Sequence, residues 1–108
     1  MNKAFDLASV YSLKDSIAYA ENATVSKIIT KAKNGNTTLF AFDKGQNLSE
    51  HTAPFDAIVV VVDGVCSVTI DGNPHTIEEG EMIIMPANIP HALEAIEAFK
   101  MLLIMIKE

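Results

Sequence analysis

His51 and His91 are the residues whose type and setting could carry chemistry. The first lies in GQNLSEHTAPFDAIVVVVDG, from Gly45 to Gly64. The second lies in GEMIIMPANIPHAL, from Gly80 to Leu93. Each stretch opens on a glycine-led turn and carries proline and a single histidine. Imidazole titrates near neutral pH and is a common metal ligand, so two such rings in one pocket could grip a polar ligand group, transfer protons or anchor a metal. The third histidine, His75, follows a turn and is expected to face solvent. Cys66 sits on an apolar alternating stretch and is expected to be a small buried hydrophobe, not a nucleophile. The phosphate-cradling glycine loop, the Gly-x-Ser-x-Gly elbow and the His-Glu-x-x-His pair are all absent from the sequence.

The totals narrow the field. A chain of 108 residues with 49% apolar content is one domain with enough material for a core. One cysteine excludes an internal disulfide and a cysteine-rich zinc site. The net charge of −6 argues against nucleic acid, whose phosphates need a basic face. The longest aliphatic runs, Ala57–Val62 and Met101–Ile106, are too short to cross a bilayer, and the N-terminus does not read as a signal peptide. A cytoplasmic protein with no membrane partner is the expectation.

The elements that must position the two histidines read as strands. Thr24–Lys31 is rich in β-branched residues, Asn34-Gly35-Asn36 is a hairpin turn signal, and Thr37–Phe42 is the return strand. Alternation from His51 puts Ala53, Phe55 and Ala57 on its face, with Pro54 marking an edge or bend. Ile58–Val62 is apolar on both sides, as in a doubly buried strand. Turns are expected at Asp63-Gly64, Asp71–Pro74 and Glu79-Gly80. Between and after them fall strands at Val65–Ile70, His75–Glu78, Met82–Met85, His91–Ile96 and Phe99–Ile106. Phe5, Leu7, Val10, Leu13 and Ile17 recur at near-helical spacing, but Ser9, Ser12 and Ser16 weaken a helix. Residues 1–22 therefore read as an N-terminal arm with a helical turn, packed on a β-barrel of residues 23–108. Short strands at close spacing without a long helix mean an all-β sandwich or barrel.

These residues resemble the cupins. The first cupin motif runs glycine, five residues, His-x-His, three or four residues, glutamate, six residues, glycine; Gly45, His51 and Gly64 fall on it. The second runs glycine, five residues, proline, one residue, glycine, two residues, histidine, three residues, asparagine; Gly80, Pro86 and His91 match. The resemblance spans roughly residues 24–106, and is nearest to small single-domain bacterial cupins. It implies a double-stranded β-helix, or jelly roll, usually a homodimer, with a pocket open at one end. The departures are Ala53 for the second histidine, Ala57 for the glutamate, Asn88 for a glycine and Ala95 for the asparagine. Of the four residues that usually hold the metal, His51 and His91 remain, so the cofactor expectation is at most a divalent ion of iron, zinc, manganese or nickel on those two.

A catalytic zinc takes three protein ligands, and a non-heme iron site two histidines and a carboxylate. Asp56 would complete such a set only if a bulge beside Pro54 turned it inward. Ala53 and Ala57 open space near the histidines, and Phe40 or Phe42, Phe55 and the methionines would make that space apolar. The leading expectation is a small-molecule ligand bound by His51 and His91 with Phe42, Phe55, Ala53 and Ala57 around it. The alternatives are a metal-dependent enzyme of dioxygenase, isomerase or decarboxylase type, and a partner module whose barrel is only a scaffold. A barrel filled by Phe40, Phe42, Phe55 and methionines would favour the scaffold.

Overall fold

The structure is a computed structural model that describes residues 4–107. Met1–Lys3 of the expected arm and Glu108 of the expected barrel lie outside the described residues. Eight strands follow one another: β1 Thr24–Ala32, β2 Gly35–Phe42, β3 Asn47–His51, β4 Ala57–Ile70, β5 Asn73–Glu78, β6 Met82–Met85, β7 His91–Glu94 and β8 Phe99–Ile106. Antiparallel pairing gives a first sheet in the order β1-β2-β8-β4-β6 and a second in the order β5-β4-β7-β3. The fold is the all-β jelly roll that the resemblance implies.

β4 belongs to both sheets, and this corrects the turn expected at Asp63-Gly64. The chain does not reverse there. The register with β8 slips between Val61 and Asp63, and Gly64 takes φ +75°. A bulge of this kind adds twist, which lets one strand leave the first sheet and enter the second. The position needs glycine twice over: a Cβ would collide with the Ala98 carbonyl, and an L side chain is strained at that φ. Gly35 is a second correction. The hairpin turn is Lys33-Asn34, with Ala32 paired to Gly35, and Gly35 already stands in β2. Glycine is required there because a Cβ would come within 2.6 Å of the Met105 carbonyl on β8.

The core lies between the sheets. Phe42, Ala57, Val59, Val61, Cys66, Val68, Ile77, Met85, Leu93, Ala95, Phe99 and Met101 form one buried cluster. Phe42 and Phe99 stack with ring centroids 4.6 Å apart, and Phe40 lies 5.8 Å from Phe42. Such pairs add to the gain from burying the rings.

The outer face of the first sheet is apolar too. Leu39 and Ala41 of β2 are buried there by Ile17, with Phe5, Val25, Ile29 and Val62 around them. Ile17 follows a 3-10 turn, Lys14–Ser16. Polar contacts tie this segment down: Lys100 Nζ donates to the Lys14 carbonyl at 2.5 Å, Lys27 Nζ to the Ser16 carbonyl at 2.8 Å and Tyr19 Oη to Asp63 Oδ2 at 2.6 Å. Lys14 pairs with Asp63 at 3.3 Å.

Candidate functional site

β3 and β7 are antiparallel neighbours, and their register sets His51 directly opposite His91. His51 ends β3 and is exposed, whereas His91 opens β7 and is only 3% exposed. Their Nε2 atoms are 3.2 Å apart, with the rings edge-on at 73°. Each Nδ1 faces a backbone carbonyl, Ser49 O at 2.7 Å for His51 and Ile89 O at 3.1 Å for His91. A carbonyl can only accept, so each Nδ1 must carry the hydrogen and donate. In the neutral ring Nε2 is then a bare lone pair. Burial holds the His91 pKa below the ordinary histidine value, His51 depresses it further, and the Ile89 carbonyl partly opposes both. With both rings neutral, two acceptors face each other across 3.2 Å; a proton on either Nε2 would turn the contact into a direct N–H···N hydrogen bond. In the neutral state the pair is completed when a hydrogen-bond donor or a Lewis acid joins it.

Two loops hold this end of the barrel. Residues 52–56 carry the chain from His51 to Ala57, and residues 86–90 carry it from Met85 to His91. Asn88 N–H donates to the Ala53 carbonyl at 2.7 Å and ties one loop to the other. Asp71 N–H donates to the Pro90 carbonyl at 2.8 Å, which fixes the approach to His91. Ala57 pairs with Met85 and with Met105, so these three line the first sheet at the end where the histidines stand on the second.

The other expected site residues fall in different places. β3 stops at His51 and the chain bends at Pro54 and Phe55, so the alternation that would put Phe55 beside His51 does not continue. Phe55 instead lines a cavity of about 660 Å³ on the outer face, together with Asp56, Ile58, Ile84, Ile104 and Lys107. Lys107 Nζ sits 5.5 Å from its ring centre. Asp56 is out there as well, accepting from Ala87 N–H at 2.8 Å. Phe42 is wholly buried and stacked on Phe99, a core residue and not an accessible wall. Ala57 is buried beneath the histidine end, and Ala53 is half-buried in its loop. Burial pushes the Cys66 thiol up to about 12. One polar residue was missed. Asn36 reads as part of a turn signal, yet it lies inside β2, and its Oδ1 is buried without a partner. Alternation back from Phe42 and Phe40 through Thr38 would have put it on the inner face.

A family model for the Cupin domain matches residues 38–107. The chain belongs to the cupins. No curated protein matches it. Among solved structures, a conserved protein of unknown function from Streptococcus pyogenes is 35% identical, with 100% of this chain and 96% of that one covered and a TM-score of 0.93. A cupin 2 conserved barrel domain protein from Leptotrichia buccalis is 44% identical, with 90% of this chain and 47% of that one covered and a TM-score of 0.87. A salicylate 1,2-dioxygenase from Pseudaminobacter salicylatoxidans is 15% identical over 81% of this chain and 27% of that one, with a TM-score of 0.71; at that identity the likeness shows the fold alone.

Within the cupin pattern, Asn88 replaces a glycine and keeps a left-handed backbone, φ +63°, a conformation asparagine tolerates better than most residues. The turn before His91 survives the substitution. The metal set does not. Nitrogen donors at about 2.1 Å from one ion would stand 3.2 Å apart at an angle of about 100°, so the spacing of the pair suits a shared ion. The number of donors does not suit a resident one: among the described residues there is no group of three or more His, Cys, Asp or Glu placed to hold a metal. Among them, too, no helix is long and apolar enough to cross a membrane.

Proposed function

We propose that this cupin binds a small molecule at the histidine end of its barrel, with His51 and His91 as the polar contacts. The observation that carries this is the convergence of two Nε2 lone pairs whose opposite nitrogens are committed to carbonyls. Below them Phe42, Phe99 and Met101 are fully packed, so the ligand is held near the mouth and not deep in the barrel. The test is an NMR titration that follows the histidine ring nitrogens while a library of small organic molecules is added. Binders should shift both rings, and a His51→Ala/His91→Ala variant should no longer bind them. A library that moves other resonances but never these rings defeats the proposal.

A second reading rests on the 3.2 Å spacing alone. It is a metal-dependent enzyme of dioxygenase, isomerase or decarboxylase type, in which iron, zinc, manganese or nickel would be shared by the two imidazoles and water or a substrate group would supply the missing donors. Near-stoichiometric metal in protein purified without chelator, lost in the same double variant, would favour it over the first.

We also propose a homodimer through the uncovered part of the outer face. The arm covers one part of that face; Ile84, Ile106 and Met82 remain exposed, with Ile58 and Ile104 between them. The rim carries one acid, Asp56, and one base, Lys107. In a two-fold pair the same patch meets itself, so Asp56 of each copy can face Lys107 of the other. Light scattering should give twice the chain mass, falling to one chain in Ile84→Glu/Ile104→Glu.

A further inference from the structure

Resting on the ligand reading above, the geometry points to Asn36 as a third contact of the same site and to a hydrogen-bond donor as its ligand. Asn36 shares the inner face of β2 with Thr38, Phe40 and Phe42, whereas Leu39 and Ala41 pack on the outer face. Its cross-strand partner on β8 is Met105, which packs on the inner core, and Met105 pairs in turn with Ala57, which pairs with Met85. Asn36, Met105, Ala57 and Met85 therefore form one row across the end of the first sheet. The tied loops 52–56 and 86–90 lead from that row to His51 and His91 on the second sheet. Asn36 and the histidine pair thus stand on opposite walls at one end of the barrel.

Asn36 Oδ1 is buried with no hydrogen-bond partner among the described residues. A buried acceptor left unpaired is costly, and an apolar residue of the same size would avoid that cost. It is a group kept for a partner that the protein itself does not supply. The two Nε2 lone pairs and the fully buried atom of the amide, its Oδ1, are all acceptors. The ligand must then offer N–H or O–H groups on two sides, as an amine or a polyol does. A carboxylate or phosphate would set its own lone pairs against all three. The net charge of −6 works in the same direction, favouring neutral or cationic molecules over anions.

The test compares the parent, Asn36→Leu and His91→Ala, above the ordinary histidine titration range, with two probes of one shape: benzylamine and benzoate. In the parent, benzylamine should shift the histidine ring nitrogens and benzoate should not. Asn36→Leu should melt a few degrees higher than the parent and bind benzylamine about tenfold more weakly, the loss of one hydrogen bond. That pairing of gained stability with lost binding is what a purely structural asparagine would not give. Equal response to the two probes overturns the ligand class. Asn36→Leu that melts lower, or binds as the parent does while His91→Ala does not, overturns the role of Asn36 and leaves the histidine reading standing. Benzylamine binding that survives in His91→Ala and in the double histidine variant brings down the histidine reading itself.

Discussion

The two ends of the barrel are built from the same strands and finished differently. At one end Phe42 stacks on Phe99, the Gly64 bulge presses against the Ala98 carbonyl, and Cys66 is sealed in. At the other, two imidazoles face each other through lone pairs and the Asn36 amide has a buried oxygen without a partner. Alanines stand where bulkier metal-binding residues would be expected in a cupin. Among the described residues, the first end has no buried side-chain nitrogen or oxygen without a partner. The second holds the unmatched polar groups, with the ring of His51 exposed at the surface. Aromatic packing is concentrated at the first end, and the unmatched polar groups are concentrated at the second.

The strongest way to break that contrast is to cut into the closed end. Phe99→Ala should cost about 3–5 kcal/mol in urea unfolding, the usual range for a buried aromatic truncated to alanine. If it costs under about 1 kcal/mol, the stack is not a foundation of the fold. Cys66 supplies a probe that leaves the fold intact. A thiol raised from 9.0 to about 12 by burial holds roughly a thousandth of the thiolate of a free cysteine at neutral pH. Native protein should therefore react with a thiol reagent only on unfolding. Rapid labelling of the folded protein would show that the closed end opens.

At the open end the expected signal is a pH dependence. The folded-state pKa of His91 is lowered, chiefly by burial, so below the ordinary histidine value of about 6.5 the unfolded chain binds a proton that the folded chain resists. Stability contributed by the neutral ring is present above that value and is lost as pH falls toward the folded-state pKa. Thermal melts taken from neutral to mildly acid pH should decline for the parent and decline less for His91→Leu. Equal slopes would mean that the ring is not held neutral by its setting.

How much of this was legible in the residues follows the same division. Strands were readable wherever apolar or β-branched residues recur between turn signals: Thr24–Lys31 falls within β1, His75–Glu78 within β5, and Phe99–Ile106 is β8. The pairing of His51 with His91 was readable from two motifs. The Asp63-Gly64 bulge was not, because a positive-φ glycine after aspartate spells a tight turn and a strand-crossing bulge alike. Strand β3 was hidden because Asn47, Ser49 and Glu50 face solvent and only Leu48 is partly buried. Phe55 was misplaced for a physical reason: alternation holds only while the strand lasts, and the strand ends at His51. Asn36 was lost to the turn signal beside it.

The smallest effect sharpens the comparison by asking whether the two ends are independent. The arm is latched to the closed end, where Tyr19 donates to Asp63 beside the bulge and Lys14 pairs with the same carboxylate. The Tyr19 hydrogen bond holds the Asp63 carboxyl below its usual range, and burial together with that carboxylate drives the Tyr19 hydroxyl well above the ordinary phenol value. Tyr19→Phe removes one hydrogen bond and keeps the ring, so it should cost about 1 kcal/mol, with the exposed Lys14 contact adding little. If the ends are separate, Tyr19→Phe should leave the histidine ring resonances unmoved. Its cost should then add to that of His91→Leu within about 0.5 kcal/mol, as for distant sites without a shared partner. A larger deviation would mean that β4, which pairs in both sheets and passes Asp63, carries strain from the arm to the histidine end.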